Sequence, residues 1–359
     1  MKKNMILLAS FLAATCLCSC GGGNEVAGSD GQTYAKKIIV YTNQTSGGRG
    51  SQLEAMIKKE NFPFSVTLVE LAGQNLKNRL INEKNNPFAD VVLGGSTAEY
   101  IQLKEEQVIT PYEPVWKANI DEKYYEAENY YTPWAVEPLY LCYNTKYFTN
   151  DPSKVTSSVI LAPKDWGDLA DNFKGKYNVF KPSSTSGTII YSSILCKYRD
   201  PNGHLGISQE GWDFLGKVIN NGILDNGLWQ ANLAGNKSPI AMSWAGAVLE
   251  VEDAYEVDLD VVVPEEGVPA TISQIALTNV KNEGRLNAGK MFIDWWGKEE
   301  TQIEWAKISC QAPLNKNAID KVDPKVREIA DVKIMDLDWE FIAEYSSQWR
   351  EYIELNVLD

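Results

Sequence analysis

Two spacings of apolar residues alternate along most of the chain. One is the strict period of two expected of a half-buried strand, and the other is the three-to-four step of an amphipathic helix. The run IIVYT at residues 38–42 predicts a strand, 51–59 a helix, FSVTLVEL at 64–71 a second strand, and 74–85 a second helix. ADVVLGGS at 89–96 reads as a buried strand entering a glycine turn, with a further helix over 97–106. PWAVEPLYLCYN at 133–144 is a long extended segment carrying two prolines. Beyond it the α/β alternation resumes through 165–170, Val179, 188–196 and 212–220. IAMSWAG at 240–246 and LDVVVPEEG at 259–267 are extended runs that end in turns. Residues 287–305 and 339–355 are helical, with apolar side chains at three- and four-residue steps. The sequence shows no repeat with a period of twenty to fifty residues.

Strands alternating with helices make this an α/β protein. In open sheets of that class, ligands sit beyond the carboxyl ends of the strands, where the strand order reverses. Two turns fall at such ends: QTSGGRG at 44–50 and GGS at 94–96. A length of 359 residues suits two core-forming units, and the extended segment at 133–144 suits a passage between them.

The chain is 44% hydrophobic and 23% charged, so it is folded rather than disordered material. Its formal charge of −14, with no basic block, argues against a nucleic-acid partner. Eleven Trp and seventeen Tyr are a heavy aromatic load, for which core packing is the first use and ligand stacking the second.

The amino terminus carries Lys2 and Lys3, then the 13-residue apolar stretch 5–17, then LCSC at 17–20, and it reads as an export signal over residues 1–19. That stretch falls short of the ~20 residues that span a bilayer. The ending is similar to the lipobox of bacterial lipoproteins, in which the last cysteine, here Cys20, is acylated and becomes the mature N-terminus. Cys16 fits that pattern less well. Small and polar residues at 20–35 read as a flexible tether. Removal of Lys2 and Lys3 with the signal takes the charge from −14 to −16. Cys142, Cys196 and Cys310 remain, an odd number with neither metal nor redox spacing, and buried thiols are expected.

KPSSTSGTIIYSS at 181–193 sets hydroxyls and a glycine directly ahead of an apolar run. Such residues are preferred helix N-caps, which is the structural explanation. Hydroxyls beside the unpaired N–H groups and positive dipole end of a helix also make a seat for a small anion.

In their order, the export-lipobox start, ADVVLGGS, TPYEP, YLCYNTK, DWGDLADNFKGKYNVFKPSSTSGT, VVVPEEG and AGKMFIDWWGKEETQ resemble bacterial extracellular solute-binding proteins of two-lobed, type II periplasmic-binding-protein fold. The resemblance runs from about residue 36 to the end. It is strongest to the branch of ferric-ion, phosphonate and sugar-phosphate binders. It implies α/β lobes joined by hinge crossover strands, placed here at 133–139 and 262–267, which close on a solute and deliver it to the permease subunits of an ABC importer. The implied division is lobe 1 over 36–134, lobe 2 over 135–263, a return to lobe 1 over 264–315, and C-terminal helices over 316–359. A monomer held at the membrane or outer cell surface through Cys20 is expected, with no cofactor.

The family's lobe 2 anion contact maps onto Ser184, Thr185, Ser186, Gly187 and Thr188. In lobe 1, Thr45, Ser46, Gly47, Gly48 and Arg49 combine glycine-turn amides with a forked guanidinium, chemistry suited to phosphate or carboxylate. Arg49 could equally be a solvated surface charge. Ser96 and Thr97 lie at the next strand end. Trp134 and Trp244 could stack on an organic body, or Trp134 could pack the hinge. Glu266 could meet an amine, or face water in its turn.

Three other functions compete. Ferric binders of this branch use adjacent tyrosines, whereas the only histidine, His204, sits in a turn, and the pairs Tyr124–Tyr125 and Tyr130–Tyr131 precede the first crossover. The region that should carry the tyrosine pair holds Trp244-Ala245-Gly246-Ala247 instead. A hydrolase with Ser184 or Ser186 as nucleophile lacks a base to activate it, Lys181 being unsupported. A polyamine binder would need acidic residues converging in the cleft, and the candidate loops are rich in hydroxyls and glycine instead. The expected function is capture of a small phosphorylated, phosphonate or carboxylate solute, not catalysis.

Overall fold

The computed structural model describes residues 24–71, 73–225 and 227–358. The export segment and Cys20 lie outside the described residues. One mixed sheet, eleven-stranded among the described residues, passes through both lobes.

In lobe 1, Lys37–Thr42 lies between two parallel neighbours, Ser65–Glu70 on one side and Val91–Leu93 on the other. The chain therefore steps outward once and then returns past its first strand. Helix Gly50–Glu60 buries Leu53, Met56 and Ile57 on one face of the sheet. Helix Gly73–Asn82 buries Leu76 and Leu80 on the other. The three-and-four spacing read from the sequence is thus the stripe that packs each helix.

Lobe 2 repeats the scheme. Tyr177–Val179 lies between the parallel strands Ile223–Leu224 and Ile240–Trp244. Helices Thr185–Leu195 and Gln209–Asn220 supply Ile189, Ile190, Ile194, Trp212, Leu215 and Ile219 to its core.

Two long strands join the lobes. Thr132–Asn144 pairs antiparallel with Ala270–Thr278 through its first half. Its second half, Leu139 to Asn144, lies between Ile240–Trp244 and Leu259–Val262. The second crossover runs from Leu259–Val262 through a turn closed by the bond from Gly267 N to the Pro264 carbonyl (2.9 Å) into Ala270–Thr278. These two linking segments run through 133–139 and 262–267, the stretches at which the resemblance implied crossovers. A cluster containing Val136, Tyr140, Ala270 and Ile272 packs this junction against residues from both lobes.

Three expectations need correction. The strand over 240–246 ends at Trp244, and helix Ala245–Tyr255 follows at once; it enters without a side-chain cap, so nothing local announced it. The helix over 287–305 is two, Glu283–Trp296 and Glu299–Ser309, broken at Gly297 where the Trp116 ring packs. The C-terminal helices are not a separate unit. Trp339–Tyr352 contributes Ile342, Ala343 and Trp349 to the lobe 2 core. The same helix reaches lobe 1, where Lys77 Nζ donates to Ser347 Oγ (2.7 Å) and Arg350 to Gln74.

Candidate functional site

In each lobe the first and third strands run parallel and adjacent while their following connections leave in opposite directions, which opens a crevice at their carboxyl ends. In lobe 1 that crevice joins the loop after Thr42 to the Gly94–Ser96 turn. In lobe 2 it joins the Phe180–Ser184 segment to Trp244. Phe180 and Trp244 stack there, with ring centroids 6.2 Å apart and planes 27° apart, and Trp229 meets Trp244 edge-on. Trp244 is half-buried at the end of strand Ile240–Trp244.

The hydroxyl run at 181–193 divides by function. Ser184 is the N-cap of helix Thr185–Leu195, accepting from Gly187 N (3.0 Å) and donating to the Lys181 carbonyl (2.8 Å). Thr188 Oγ1 turns back to the Pro182 and Ser184 carbonyls, each at 3.0 Å. Thr185 and Ser186 are half-buried, with no hydroxyl partner among the described residues. As the first two helical residues, their N–H groups also lack intrahelical acceptors. This end of the helix faces lobe 1: a Cβ on Gly73 would lie 3.1 Å from the Ser183 carbonyl and 3.5 Å from Thr185 Oγ1.

The lobe 1 loops are more committed. Thr45 and Ser46 donate their hydroxyls to the Glu70 carboxylate at 3.0 and 3.2 Å, which corrects the expectation that they are free for an anion. Gly48 is exposed. Arg49 Nε donates to the Ser46 carbonyl (3.0 Å). Its charge is felt by two carboxylates, Glu137 on the first crossover and Glu250 on a lobe 2 helix. Burial pushes Glu137 above the usual carboxylate range, against the Gln311 hydrogen bond and the Arg49 charge, while Glu250 pushes it further up. Burial raises Glu250 as well, with Arg49 opposing. Arg49 is half-buried, and an anion at this loop would share its charge with those two carboxylates.

Ser96 caps helix Thr97–Glu105, and its N–H (2.7 Å) and Oγ (3.1 Å) both donate to Glu99. Burial raises Glu99, opposed by the Ser96 bonds and by Lys77 and Arg350. Thr97 Oγ1 accepts from Gln274 Nε2 (3.1 Å). Gly94, at φ 91°, holds the turn in the left-handed region; a Cβ there would lie 1.9 Å from Asn43 Oδ1.

Two residues leave the candidate list. Trp134 is 1% exposed, donates Nε1 to the Gln274 carbonyl (3.2 Å) and packs edge-on against Trp296, so it is lobe 1 core. Glu266 pairs with Lys197, which follows the C-terminal end of helix Thr185–Leu195. Eleven residues of helix place it about 16 Å from the helix start at Thr185. The tyrosine pairs pack against the lobe 1 core clusters. Among the described residues, no group of three or more His, Cys, Asp or Glu side chains could hold a metal ion. The three cysteines among the described residues are free thiols; Cys142 is buried, and burial pushes it up to about 12, but Cys196 and Cys310 are only half-buried. Sequence reasoning did not single out Glu137, which lies in strand Thr132–Asn144, because nothing in a strand's pattern says which polar residue will stand near the Arg49 charge.

Two α/β lobes with facing crevices, joined by paired crossover strands, define a two-lobed ligand-binding protein. Residues 52–333 match the family described as bacterial extracellular solute-binding protein, and the chain belongs to it. It is a binding protein of the ABC-importer kind and not an enzyme. A probable ABC transporter periplasmic-binding protein, y4fP of Sinorhizobium fredii, is 30% identical over 328 residues, covering 90% of this chain and 87% of the relative. Iron-bound HitA from Pseudomonas aeruginosa has the same fold at a TM-score of 0.73 and 15% identity, covering 89% of this chain and 99% of that one. AfuA from Actinobacillus pleuropneumoniae, solved with exogenous fructose-6-phosphate, aligns at 0.69 and 19% identity, covering 89% and 98%.

Proposed function

We propose that the cleft captures a small anionic solute, phosphorylated, phosphonate or carboxylate, seated on Thr185 and Ser186. The observation that carries this reading is the division of the hydroxyl run: Ser184 and Thr188 are consumed by the helix, whereas Thr185, Ser186 and their amides stand free and face lobe 1. A fixed ring of donors at a helix N-terminus favours a negative group. Trp244 offers a stacking face for the rest of the solute, and Arg49 adds charge from the opposite wall, shared with Glu137 and Glu250. Acylation of Cys20 would hold the lobes at a membrane in reach of the permease; the tether expected over 20–35 is shorter than that, because Glu25–Ala27 pairs with Thr33–Ala35 and Tyr34 and Ala35 are buried against the fold.

A thermal-shift screen of phosphorylated, phosphonate and carboxylate metabolites tests the ligand class. A binder at 100 times its Kd stabilises the folded state by about 2.7 kcal/mol. Stabilisation only by ferric salts, with a visible charge-transfer band, would replace this reading with an iron one. For the anchor, Cys20→Ala should release the protein from the membrane fraction.

A further inference from the structure

Besides the crossover strands, the lobes are joined through helix Gly73–Asn82 of lobe 1, on which Gly73 and Gln74 both lie one turn from Lys77. Gly73 meets Ser183 and Thr185 at the cleft. Gln74 Oε1 accepts from Arg350, and Lys77 Nζ donates to Ser347 Oγ (2.7 Å) and to Gln102 Oε1 (2.6 Å). Gln102 in turn donates its Nε2 to the Ala343 carbonyl. Ala98 and Ile101, on the same helix as Gln102, share a core cluster with Ile342 and Ala343. Next to these bonds the lobes stand apart around a cavity of about 750 Å³, lined by Ile81 and Glu105 on one side and by Arg199, Asp338 and Phe341 on the other. The contact is therefore a bridge from lobe 1 to helix Trp339–Tyr352 along one edge of an open interlobe space.

Lys77 is 6% exposed, and a charge held that far from water depends on its partners. Burial pushes it below the usual lysine range, opposed by the Glu99 charge and reinforced by that of Arg350. One of its two acceptors, Ser347, belongs to the C-terminal helix, whose Ile342, Ala343 and Trp349 are seated in the lobe 2 core. The helix that carries Lys77 also carries the lip of the cleft at Gly73. Moving Gly73 away from Ser183 to admit a solute therefore takes Gln74 and Lys77 away from Arg350 and Ser347. An interaction present in only one of two states biases the equilibrium between them, even where it never touches the ligand.

We propose that Lys77, Gln102, Ser347 and Arg350 form an interlobe clasp that holds the solute-free protein closed, acting as positioning residues that set how far the cleft stands open. The clasp needs only the two-lobed binding function and is independent of the chemistry of the solute. Charge at position 347 tests it. Ser347→Lys sets a second cation against Lys77, whereas Ser347→Glu, of similar bulk, gives Lys77 a counter-ion. Small-angle X-ray scattering of the purified, solute-free protein reads the separation of the lobes, with the fold of each variant checked by circular dichroism. Wild type and Ser347→Glu should both scatter as the closed arrangement described above, and Ser347→Lys should give a larger radius of gyration. Gln102→Ala, which cuts the bonds to Lys77 and to the Ala343 carbonyl without adding bulk or charge, should enlarge the radius in the same direction and stands in for Ser347→Lys if that variant does not fold. A radius unchanged in the folded opening variants overturns the clasp, as does equal expansion by lysine and glutamate, which would be steric and not electrostatic. A wild-type protein that already scatters as separated lobes overturns it whether or not any variant folds.

Discussion

Ser184 and Ser186 are two residues apart, carry the same side chain and sit at one helix end, yet the structure gives them opposite roles. Ser184→Ala removes an N-cap whose oxygen accepts from Gly187 N at 3.0 Å, leaving that N–H to water at a half-buried site. Loss of a serine cap costs about 1 kcal/mol, which for a lobe of this size lowers Tm by roughly 3 °C. Ser186→Ala removes a hydroxyl with no partner among the described residues, so Tm in the absence of solute should stay within about 1 °C. Its effect falls on binding. A hydrogen bond to a charged group contributes about 1.5–3 kcal/mol, so Kd for the best anion from the screen should rise roughly ten- to hundredfold. In Ser184→Ala the binding loss should be the smaller of the two, because the cap acts on the ligand only by fixing the helix start. Calorimetric melting and titration of both variants decide the matter. The reverse pattern, with Ser186→Ala lowering Tm and sparing affinity, would refute the division of labour on which the proposed function stands.

Other consequences follow from the same geometry. Gly94→Ala forces a Cβ to within 1.9 Å of Asn43 Oδ1 at a φ of 91°, and it should lower Tm and weaken solute binding together, in melts and titrations on one preparation. Arg285→Ala strips the partner from Asp90, whose buried carboxylate accepts from Arg285 Nε (2.6 Å) and Ile39 N (2.7 Å); urea unfolding should show a loss of about 3 kcal/mol. Glu137→Gln tests the cleft carboxylate. Its folded pKa is raised, so the ionised form opposes folding at neutral pH, and that penalty disappears as pH falls through the window between the folded value and 4.5. The variant should therefore melt higher than wild type at pH 7.5 and level with it near pH 4, and a gain of equal size at both would remove the electrostatic explanation.

Much of the fold was open to reading because period is a local property. Strand Lys37–Thr42, helix Gly50–Glu60 and strand Thr132–Asn144 appear within two residues of the pattern that predicted them, since their buried faces are set by residues a few positions apart. Helix Ala245–Tyr255 was not, because its small buried residues Ala245, Gly246 and Ala247 make a weak stripe and no cap marks its start. The helix over 287–305 broke because Trp116, far away in sequence, packs at Gly297.

For the site, the sequence by itself determined the chemical vocabulary: hydroxyls and glycines ahead of the Ile189 run, an arginine in the first loop, an aromatic at the end of the Ile240 strand. Tertiary structure alone decided which of them are available. Thr45 and Ser46 are spent on Glu70 from the neighbouring strand, Trp134 is enclosed by Trp296, and Glu266 is drawn to Lys197. The physical reason is that a hydrogen bond or ion pair is satisfied by whatever lies within about 3 Å in space. Residue type fixes what a side chain can donate or accept, but only the folded chain fixes whether that capacity has already been used.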